Sequence, residues 1–184
     1  MITILQIDQA HKADINIPNQ PFKLFGWMRP SYINAEWSYE IERFADKDIS
    51  EMCFPDENYD YEELSENSVF IGAYDNDRCI GLAILQQTWF KYMYLYDLKV
   101  NADYRGKRIG TMLIDKAKEI AVSQNYRGLF TQGQDNNLAA CLFYLHNGFF
   151  IGGLDTNRYR GTAQENKKDI IFYCDADIKT LFKA

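Results

Sequence analysis

A strand, a glycine-containing loop and a helix follow one another within residues 93–120, and this run constrains the fold most strongly. Residues 93–100 are rich in aromatic and branched side chains, which predicts a β-strand. From Ile109 onward, apolar residues recur at three- and four-residue spacing, which predicts an amphipathic helix. The basic loop between them contains Gly106 and Gly110. Converging backbone N–H groups and the helix dipole make such a loop suited to holding a phosphate.

The rest of the pattern predicts an α/β chain in a single domain, residues 1–184. From residue 68 onward the pattern predicts three strands, a helix that ends at about residue 124, a fourth strand, a second helix and two final strands. Strands are predicted at residues 1–7, 68–74, 78–87, 93–100, 128–134, 149–154 and 169–175. The second helix is predicted at residues 137–146, with Asp135 or Asn136 as N-cap and Asn147-Gly148 as a left-handed cap.

The first third of the chain has a less regular pattern. All four prolines lie before residue 56, so turns, short helices and loops are expected there in place of a regular sheet. Residues 38–44 and 59–66 are candidate helices. We expect residues 1–66 to form a substrate-side region and residues 68–175 to form the core.

Charge is distributed unevenly along the chain. The net charge is −6, yet residues 36–66 contain twelve acidic residues against Arg43 and Lys47. By itself such a segment is usual for a solvated face. The basic loop forms an opposite pole, and the two poles together favour an anionic ligand beside a cationic one, with no nucleic-acid partner. That pole consists of Lys99, Arg105, Lys107 and Arg108.

Cysteine and histidine usage favours neither a disulfide framework nor a metal site. The four cysteines are widely spaced without a Cys-x-x-Cys pair, and the two histidines have no partner at ligand spacing. No signal sequence opens the chain, and no apolar run reaches membrane-spanning length. The expectation is a soluble cytoplasmic protein with no membrane partner and no metal.

Two motifs resemble the signatures of the GNAT superfamily of N-acetyltransferases. The loop Arg105-Gly-Lys-Arg-Ile-Gly110 is similar to the family's Arg/Gln-x-x-Gly-x-Gly/Ala sequence, with Arg108 in place of the middle glycine. The loss of this glycine is tolerable if Arg108 keeps an ordinary backbone conformation and points its side chain at phosphate. The second helix is similar to the family's other motif. It carries Asn137, Ala140 and Tyr144 on one helix face, followed by Gly148-Phe149.

The resemblance implies a mixed, mostly antiparallel sheet of about six to seven strands, flanked by helices and splayed at an acetyl-CoA site. Acetyl-CoA is the implied cofactor, with its pyrophosphate on the loop and its pantetheine arm on the strand end and the second helix. The implied cofactor-binding residues are Leu98, Lys99, Val100, Arg105, Gly106, Lys107, Arg108, Ile109, Gly110, Thr111, Asn137, Ala140 and Phe143.

Acetyl transfer from a thioester to an amine needs a proton acceptor and a proton donor. An alkylammonium with a pKa of roughly 10.4 must lose a proton before it attacks, and a carboxylate acting through water can take it. Asp97 is the only carboxylate on residues 93–100. Strand alternation places it opposite Tyr94, Tyr96 and Leu98. It is either the base, an amine anchor or a buried structural acid.

Tyr144 is the candidate proton donor to the departing sulfur. The alternative is that Tyr144 is only a core aromatic with a satisfied hydroxyl.

Further sequence strings resemble the streptothricin acetyltransferases, a family within this superfamily. They include Cys79-Ile-Gly81, Gln134-Asp-Asn-Asn137 and Asp155-Thr156, and the similarity runs from about residue 20 to residue 175. Two positions depart from that family's pattern, because Tyr96 stands where an acid is usual and no glutamate lies near Gln132. Residues expected to bind a small cationic amine substrate are Tyr32, Trp37, Tyr96, Gln132 and Asp155.

Several alternatives stay open at this point. The acceptor can be streptothricin or, as alternatives, a polyamine, an aminoglycoside or a protein N-terminus. A non-catalytic CoA-binding module with a silent Tyr144 would have the same motifs. The chain is expected to be a monomer or a homodimer.

Overall fold

The computed structural model describes residues 1–176 of the 184-residue chain. The predicted domain runs to residue 184, so its last residues lie outside the described part. Three α-helices are present: α1 (Tyr61–Ser65), α2 (Ile109–Ser123) and α3 (Leu138–His146). Short 3-10 helices cover Gln9–Asn16, Asp46–Asp48 and Ala102–Tyr104. The strands are β1 (Ile2–Gln6), β2 (Phe22–Leu24), β3 (Gly26–Ile33), β4 (Glu36–Arg43), β5 (Ser50–Met52), β6 (Ser68–Asp75), β7 (Arg78–Gln86), β8 (Tyr92–Val100), β9 (Gly128–Gln134), β10 (Phe150–Asp155) and β11 (Asp169–Asp175).

The predicted fold class is confirmed. From residue 68 the elements follow in the predicted order, and each strand and helix lies within a few residues of its predicted bounds. The sheet strands are mostly antiparallel, and helices flank them. None of the helices in residues 1–176 is both long enough and apolar enough to span a membrane.

The described chain divides into two compact units. The first contains residues 1–21, 53–129 and 175–176. Its strands form an antiparallel sheet in the order β1-β6-β7-β8. Helix α2 covers one face of this sheet. A Cβ atom at Gly81 would lie 3.3 Å from the side chains of both Ile109 and Leu113, so glycine permits the close approach of α2 to β7.

The opposite face of this sheet carries a separate apolar cluster. Partly buried side chains from α1 and from the segment before it pack against this cluster, among them Leu64 and Tyr59. The cluster consists of Ile7, Ile15, Phe70, Tyr74, Leu82 and Ile84. The first unit therefore has an apolar layer on each side of its sheet.

Strand β8 contains a β-bulge that changes which residues share a face. Asp97 pairs with Ile84 and Leu95 pairs with Leu85, so Tyr96 is the extra residue between them. Beyond the bulge, Asp97 lies on the same face as Tyr94. The predicted arrangement, with Tyr94 and Leu98 on one face and Asp97 on the other, is therefore wrong.

The second unit contains residues 22–52 and 130–174. Strand β9 begins in the first unit and continues into the second, where the strand order is β9-β11-β10. Helix α3 packs against β2 and β3 in this unit. Its core includes Leu138 and Cys141 from α3 together with Phe172 from β11, all fully buried.

The predicted helix at residues 38–44 is wrong, because this stretch belongs to strand β4. β3 and β4 form a hairpin in which Ile33 pairs with Glu36 around the turn residues Asn34 and Ala35. Trp37, Tyr39 and Ile41 alternate with polar residues (Glu36, Ser38, Glu40 and Glu42), which is the period of a strand. The expectation of no regular sheet before residue 56 is also wrong, because β3 pairs with β4 and β2 pairs with β5.

The N-cap of α3 also differs from the prediction. Asn137 caps the helix, and its side-chain oxygen accepts a hydrogen bond from the Ala140 N–H at 3.2 Å. Asp135 and Asn136, the predicted caps, are buried instead. At the other end the predicted left-handed cap is present, because Gly148 has φ +83°.

Candidate active site

The loop between β8 and α2 is held in place by Arg105. Its Nε donates to the Val100 carbonyl at 3.2 Å, and its Nη1 donates to the Pro21 carbonyl at 2.6 Å. The preceding turn is stabilised by Asn101, whose side chain accepts from the Asp103 N–H at 3.1 Å. The Arg105 guanidinium is thus engaged with backbone carbonyls and fixes the end of β8 to the start of the loop.

The loop reverses direction through two left-handed residues. Gly106 has φ +75° and Arg108 has φ +63°. Arg108 is also the N-cap residue of α2. The condition that Arg108 keeps an ordinary backbone conformation is therefore not met. The position demands the conformation that glycine adopts freely, and a side chain there costs about 1–2 kcal/mol.

The N-terminus of α2 has the properties of an anion site. No side chain of residues 1–176 caps it, and no acidic residue lies in its first turn. Lys107 and Arg108 are exposed next to it, with the Lys107 ammonium 4.8 Å from the centre of the Tyr104 ring. First-turn N–H groups, the helix dipole and adjacent cations together favour a bound phosphate.

Asp97 lies in a partly buried ion-pair network. Its Oδ2 atom is 3.0 Å from the Lys99 Nζ and accepts a hydrogen bond from the Tyr59 hydroxyl at 3.2 Å. The same Lys99 ammonium lies 2.7 Å from Glu57 Oε2. The side chains of Asp97 and Lys99 are only 16% and 11% exposed. Tyr96 contributes its ring beside Tyr59, with the ring centres 6.0 Å apart.

Burial and the neighbouring charges have opposite effects on the pKa values of Asp97 and Lys99. Burial raises the pKa of the Asp97 carboxyl above its ordinary value, and the Lys99 ammonium counteracts this only in part. Burial alone would lower the pKa of Lys99, but Asp97 and Glu57 outweigh it, so the pKa of Lys99 is raised. Lys99 therefore remains an ammonium, and Asp97 binds a proton more readily than an exposed aspartate.

Tyr144 is a buried residue of α3 in the second unit. Its ring lies 5.4 Å, centre to centre, from both Phe149 and Phe172. Ala140 and Phe143 on the same helix are half-buried, and Phe143 makes an edge contact with Tyr144. The predicted helix face of Asn137, Ala140 and Tyr144 is present, with the ring of Tyr144 set into the core.

A polar chain in the second unit was not anticipated from the sequence. Gln134 Nε2 donates to the Tyr159 hydroxyl at 2.9 Å, and that hydroxyl donates to Asp169 Oδ1 at 2.8 Å. Burial raises the pKa of Asp169. Of these three residues only Gln134 lies in a sequence motif, the Gln-Asp-Asn-Asn string. Tyr159 and Asp169 belong to segments without a motif.

Asp135 connects three segments of the second unit. It is fully buried, its Oδ1 atom accepts from the Lys168 N–H at 3.1 Å, and its Oδ2 atom lies 3.5 Å from Arg29. Its backbone carbonyl accepts from the Met28 N–H at 2.8 Å. Asp135 therefore ties β3 and the segment before β11 to the end of β9.

The predicted substrate residues divide between the two units. Tyr96 belongs to the first unit, beside Tyr59. In the second unit Tyr32 and Trp37 pair across the β3–β4 hairpin with their ring centres 4.9 Å apart. Gln132 is half-buried on β9. The carboxylate of Asp155, at the end of β10, accepts hydrogen bonds from the N–H groups of Asn157 and Arg158 and so holds a turn. Among residues 1–176, no group of three or more His, Cys, Asp or Glu side chains is arranged to hold a metal ion.

Residues 30–149 match the model of the Acetyltransferase (GNAT) family. The chain belongs to this family, and it is an acetyl-CoA-dependent N-acetyltransferase. The strand, the glycine loop and the α2 N-terminus described above are the parts that the family resemblance assigned to the coenzyme.

Known proteins with similar sequences and structures carry related names. Streptothricin acetyltransferase A of Bacillus subtilis (strain 168) is 34% identical over 92% of this chain and 98% of its own length. A Bacillus anthracis (strain Ames) protein assigned as a streptothricin acetyltransferase, solved with acetyl coenzyme A, superposes with a TM-score of 0.84 at 27% identity, covering 96% of this chain and 99% of that one. The crystal structure of nourseothricin acetyltransferase shares the fold, with a TM-score of 0.77 at 20% identity over 95% of this chain and 98% of that one.

Proposed function

We propose that this enzyme acetylates a primary amine of a small cationic molecule, with streptothricin as the leading acceptor. The observation that carries the proposal is the 34% identity to Streptothricin acetyltransferase A across nearly the whole of both chains. The acidic segment 36–66 agrees with a cationic acceptor, because its negative charge attracts cations.

The loop and the α2 N-terminus are the proposed site for the coenzyme's pyrophosphate. The fit rests on the left-handed Gly106 and Arg108, and on a helix start that no side chain of residues 1–176 caps and that has no acidic residue in its first turn. The backbone groups of Leu98, Lys99 and Val100 would hold the pantetheine arm. The splay of the sheet beside them stays a prediction. Bound acetyl-CoA supplies an acetyl group on a thioester.

Two side chains are proposed to handle protons. The acceptor amine must be neutral to attack, so Asp97 takes its proton, directly or through one water. The Tyr144 hydroxyl gives a proton to the sulfur that leaves. Tyr32, Trp37, Tyr96, Gln132 and Asp155 are proposed to contact the acceptor. Aromatic faces suit an ammonium group, which favours the Tyr32–Trp37 pair as its platform.

The substrate assignment is tested by following free thiol release with acetyl-CoA and one amine at a time. Streptothricin, polyamines, aminoglycosides and a peptide N-terminus form the panel. We expect turnover with streptothricin well above that with the other amines. Preferred turnover of another amine would overturn the substrate, and tight coenzyme binding without turnover of any amine would favour a binding module.

The role of Tyr144 is tested by Tyr144→Phe, which removes only the hydroxyl. We expect turnover to fall by on the order of a hundredfold, the usual scale for a lost general acid, with coenzyme affinity nearly unchanged. Tyr126→Phe is the matched control. It also removes one hydroxyl, which donates to the Thr88 carbonyl at 3.1 Å, and should leave turnover unaffected. Wild-type turnover from Tyr144→Phe would remove Tyr144 from the mechanism.

A further inference from the structure

The two oxygens of Asp97 have different surroundings. Both donors that reach its carboxylate, the Lys99 ammonium and the Tyr59 hydroxyl, contact Oδ2. Within residues 1–176 no hydrogen-bond donor of the chain contacts Oδ1. One oxygen is thus fixed by the protein, and the other remains able to accept a proton from outside the network.

Lys99 is itself fixed from two sides. Its ammonium lies between Glu57 at 2.7 Å and Asp97 at 3.0 Å, and 5.7 Å from the centre of the Tyr59 ring. The two-residue spacing in the regular part of β8, after the bulge, puts Lys99 and Asp97 on one face of the strand. This geometry leaves the Lys99 side chain little freedom to reach any other group.

We infer that Lys99 is a positioning residue, braced by Glu57, that holds Asp97 Oδ2 and keeps the carboxylate ionised so that Oδ1 accepts the amine's proton. This inference rests on the proposed function of Asp97 as proton acceptor. A buried carboxylate without a counter-ion would hold its own proton and could not take one from the amine. The network thereby sets the lowest pH at which Asp97 works.

The groups that face Asp97 determine the direction of each effect. They are Lys99 from its own strand, Glu57 and Tyr59 from the segment before α1, and the apolar Ile84 opposite it on β7. Lys99 favours the charged form of Asp97, and Glu57 disfavours it through like-charge repulsion. Removing one or the other should therefore move the proton affinity of Asp97 in opposite directions.

The test compares Lys99→Met, Glu57→Gln and Lys99→Arg across pH. For Lys99→Met we expect the acid limb of kcat/KM to move to higher pH, so that the ratio of rates at pH 8 and pH 6 rises about tenfold. For Glu57→Gln the limb should move to lower pH. Lys99→Arg keeps the positive charge and should restore the wild-type profile. A purely structural role would lower the rate in both of the first two variants without opposite shifts.

A second measurement does not depend on turnover. The Asp97 carboxyl is titrated by 13C NMR in aspartate-labelled protein, with Asp97→Asn used to assign the signal. We expect the pKa of Asp97 to rise in Lys99→Met and to fall in Glu57→Gln. Unmoved or same-direction shifts would overturn the inference even if the enzyme acetylates amines. Opposite shifts in a protein that acetylates no amine would instead show that the proposed function is at fault.

Discussion

At the scale of single residues, the left-handed Arg108 is the clearest departure from what the family signature requires. Among residues 1–176, the other non-glycine residues with positive φ are four asparagines and Ala35, and asparagine tolerates this conformation better than most residues. Arg108 has no such tolerance, so the loop shape is maintained against a local conformational penalty. Its side chain and its backbone conformation therefore need separate tests.

Arg108→Ala and Arg108→Gly separate the two contributions. Both variants lack the guanidinium, but only alanine keeps the Cβ atom that disfavours φ +63°. We expect the free energy of unfolding to be about 1 kcal/mol higher for the glycine variant than for the alanine variant, as measured by denaturant unfolding. Equal stabilities would show that the loop relaxes around the side chain.

The contribution of the Arg108 side chain is tested by the coenzyme affinity of the same two variants. If the guanidinium meets phosphate, both variants should bind CoA about tenfold more weakly by calorimetry, since a charged hydrogen bond is lost in each. Unchanged affinity in both variants would make Arg108 a surface residue with no coenzyme contact.

At the scale of elements, the β3–β4 hairpin combines a correct strand pattern with an unfavourable turn residue. Asn34 and Ala35 both have positive φ, at 52° and 65°. Two-residue hairpin turns of this kind favour Asn-Gly. The hairpin therefore forms because its strands pair along their length, despite an alanine where glycine fits better.

Ala35→Gly should stabilise the protein by about 0.5–1 kcal/mol, because relief of the left-handed alanine exceeds the entropy that glycine adds to the unfolded chain. The measurement is the free energy of unfolding in urea. Ala45→Gly is the matched control, since Ala45 has φ −66° and gains no relief. It should destabilise by a similar amount. Destabilisation by both substitutions would mean that the turn is not strained.

The pKa values of two carboxylates on strand β11 are shifted in opposite directions. Burial raises the pKa of Asp169, whereas the hydrogen bond from Arg127 lowers the pKa of Asp175. For Asp169 the folded protein binds more protons than the unfolded chain above the ordinary value of 3.8, so stability falls as the pH rises through that window. For Asp175 stability is present above that value and is lost as the pH falls.

The two substitutions Asp169→Asn and Asp175→Asn should therefore change the pH dependence of stability in opposite senses. Relative to wild type, the free energy of unfolding of Asp169→Asn should improve as the pH rises from about 4 to about 7, because the pKa of Asp169 is raised. That of Asp175→Asn should worsen as the pH rises from about 3 to about 5, because the pKa of Asp175 is lowered. Urea unfolding at these pH values measures both changes. Parallel changes in the two variants would contradict the assigned environments.

At the scale of the whole molecule, the fold was predictable from residue 68 onward because periodic segments separated by turn residues leave little choice of structure. The predicted helix at residues 38–44 is wrong because the glutamates of this stretch favour a helix, whereas Trp37, Tyr39 and Ile41 follow the period of a strand. The bulge at Tyr96 has no sequence signature, and it alone moved Asp97 to the face of Tyr94.

The candidate site could be predicted from the sequence only where its residues belong to a motif. The loop and the α3 face have fixed spacings, so both could be located in the sequence. The pairing of Lys99 with Glu57, and of Tyr159 with Asp169, depends on tertiary structure that brings together residues 42 and 10 positions apart. No local pattern contains that information.

The two charged regions of the first unit differ in their access to dissolved ions. Lys107 and Arg108 are exposed on the loop, whereas Lys99 and Asp97 are largely shielded from solvent. Mobile ions screen exposed charges over about 8 Å at physiological ionic strength and screen buried pairs much less. Ionic strength therefore acts on the loop and leaves the buried network largely unaffected, so the proposed coenzyme capture and the proposed proton transfer should respond to different properties of the surrounding solution.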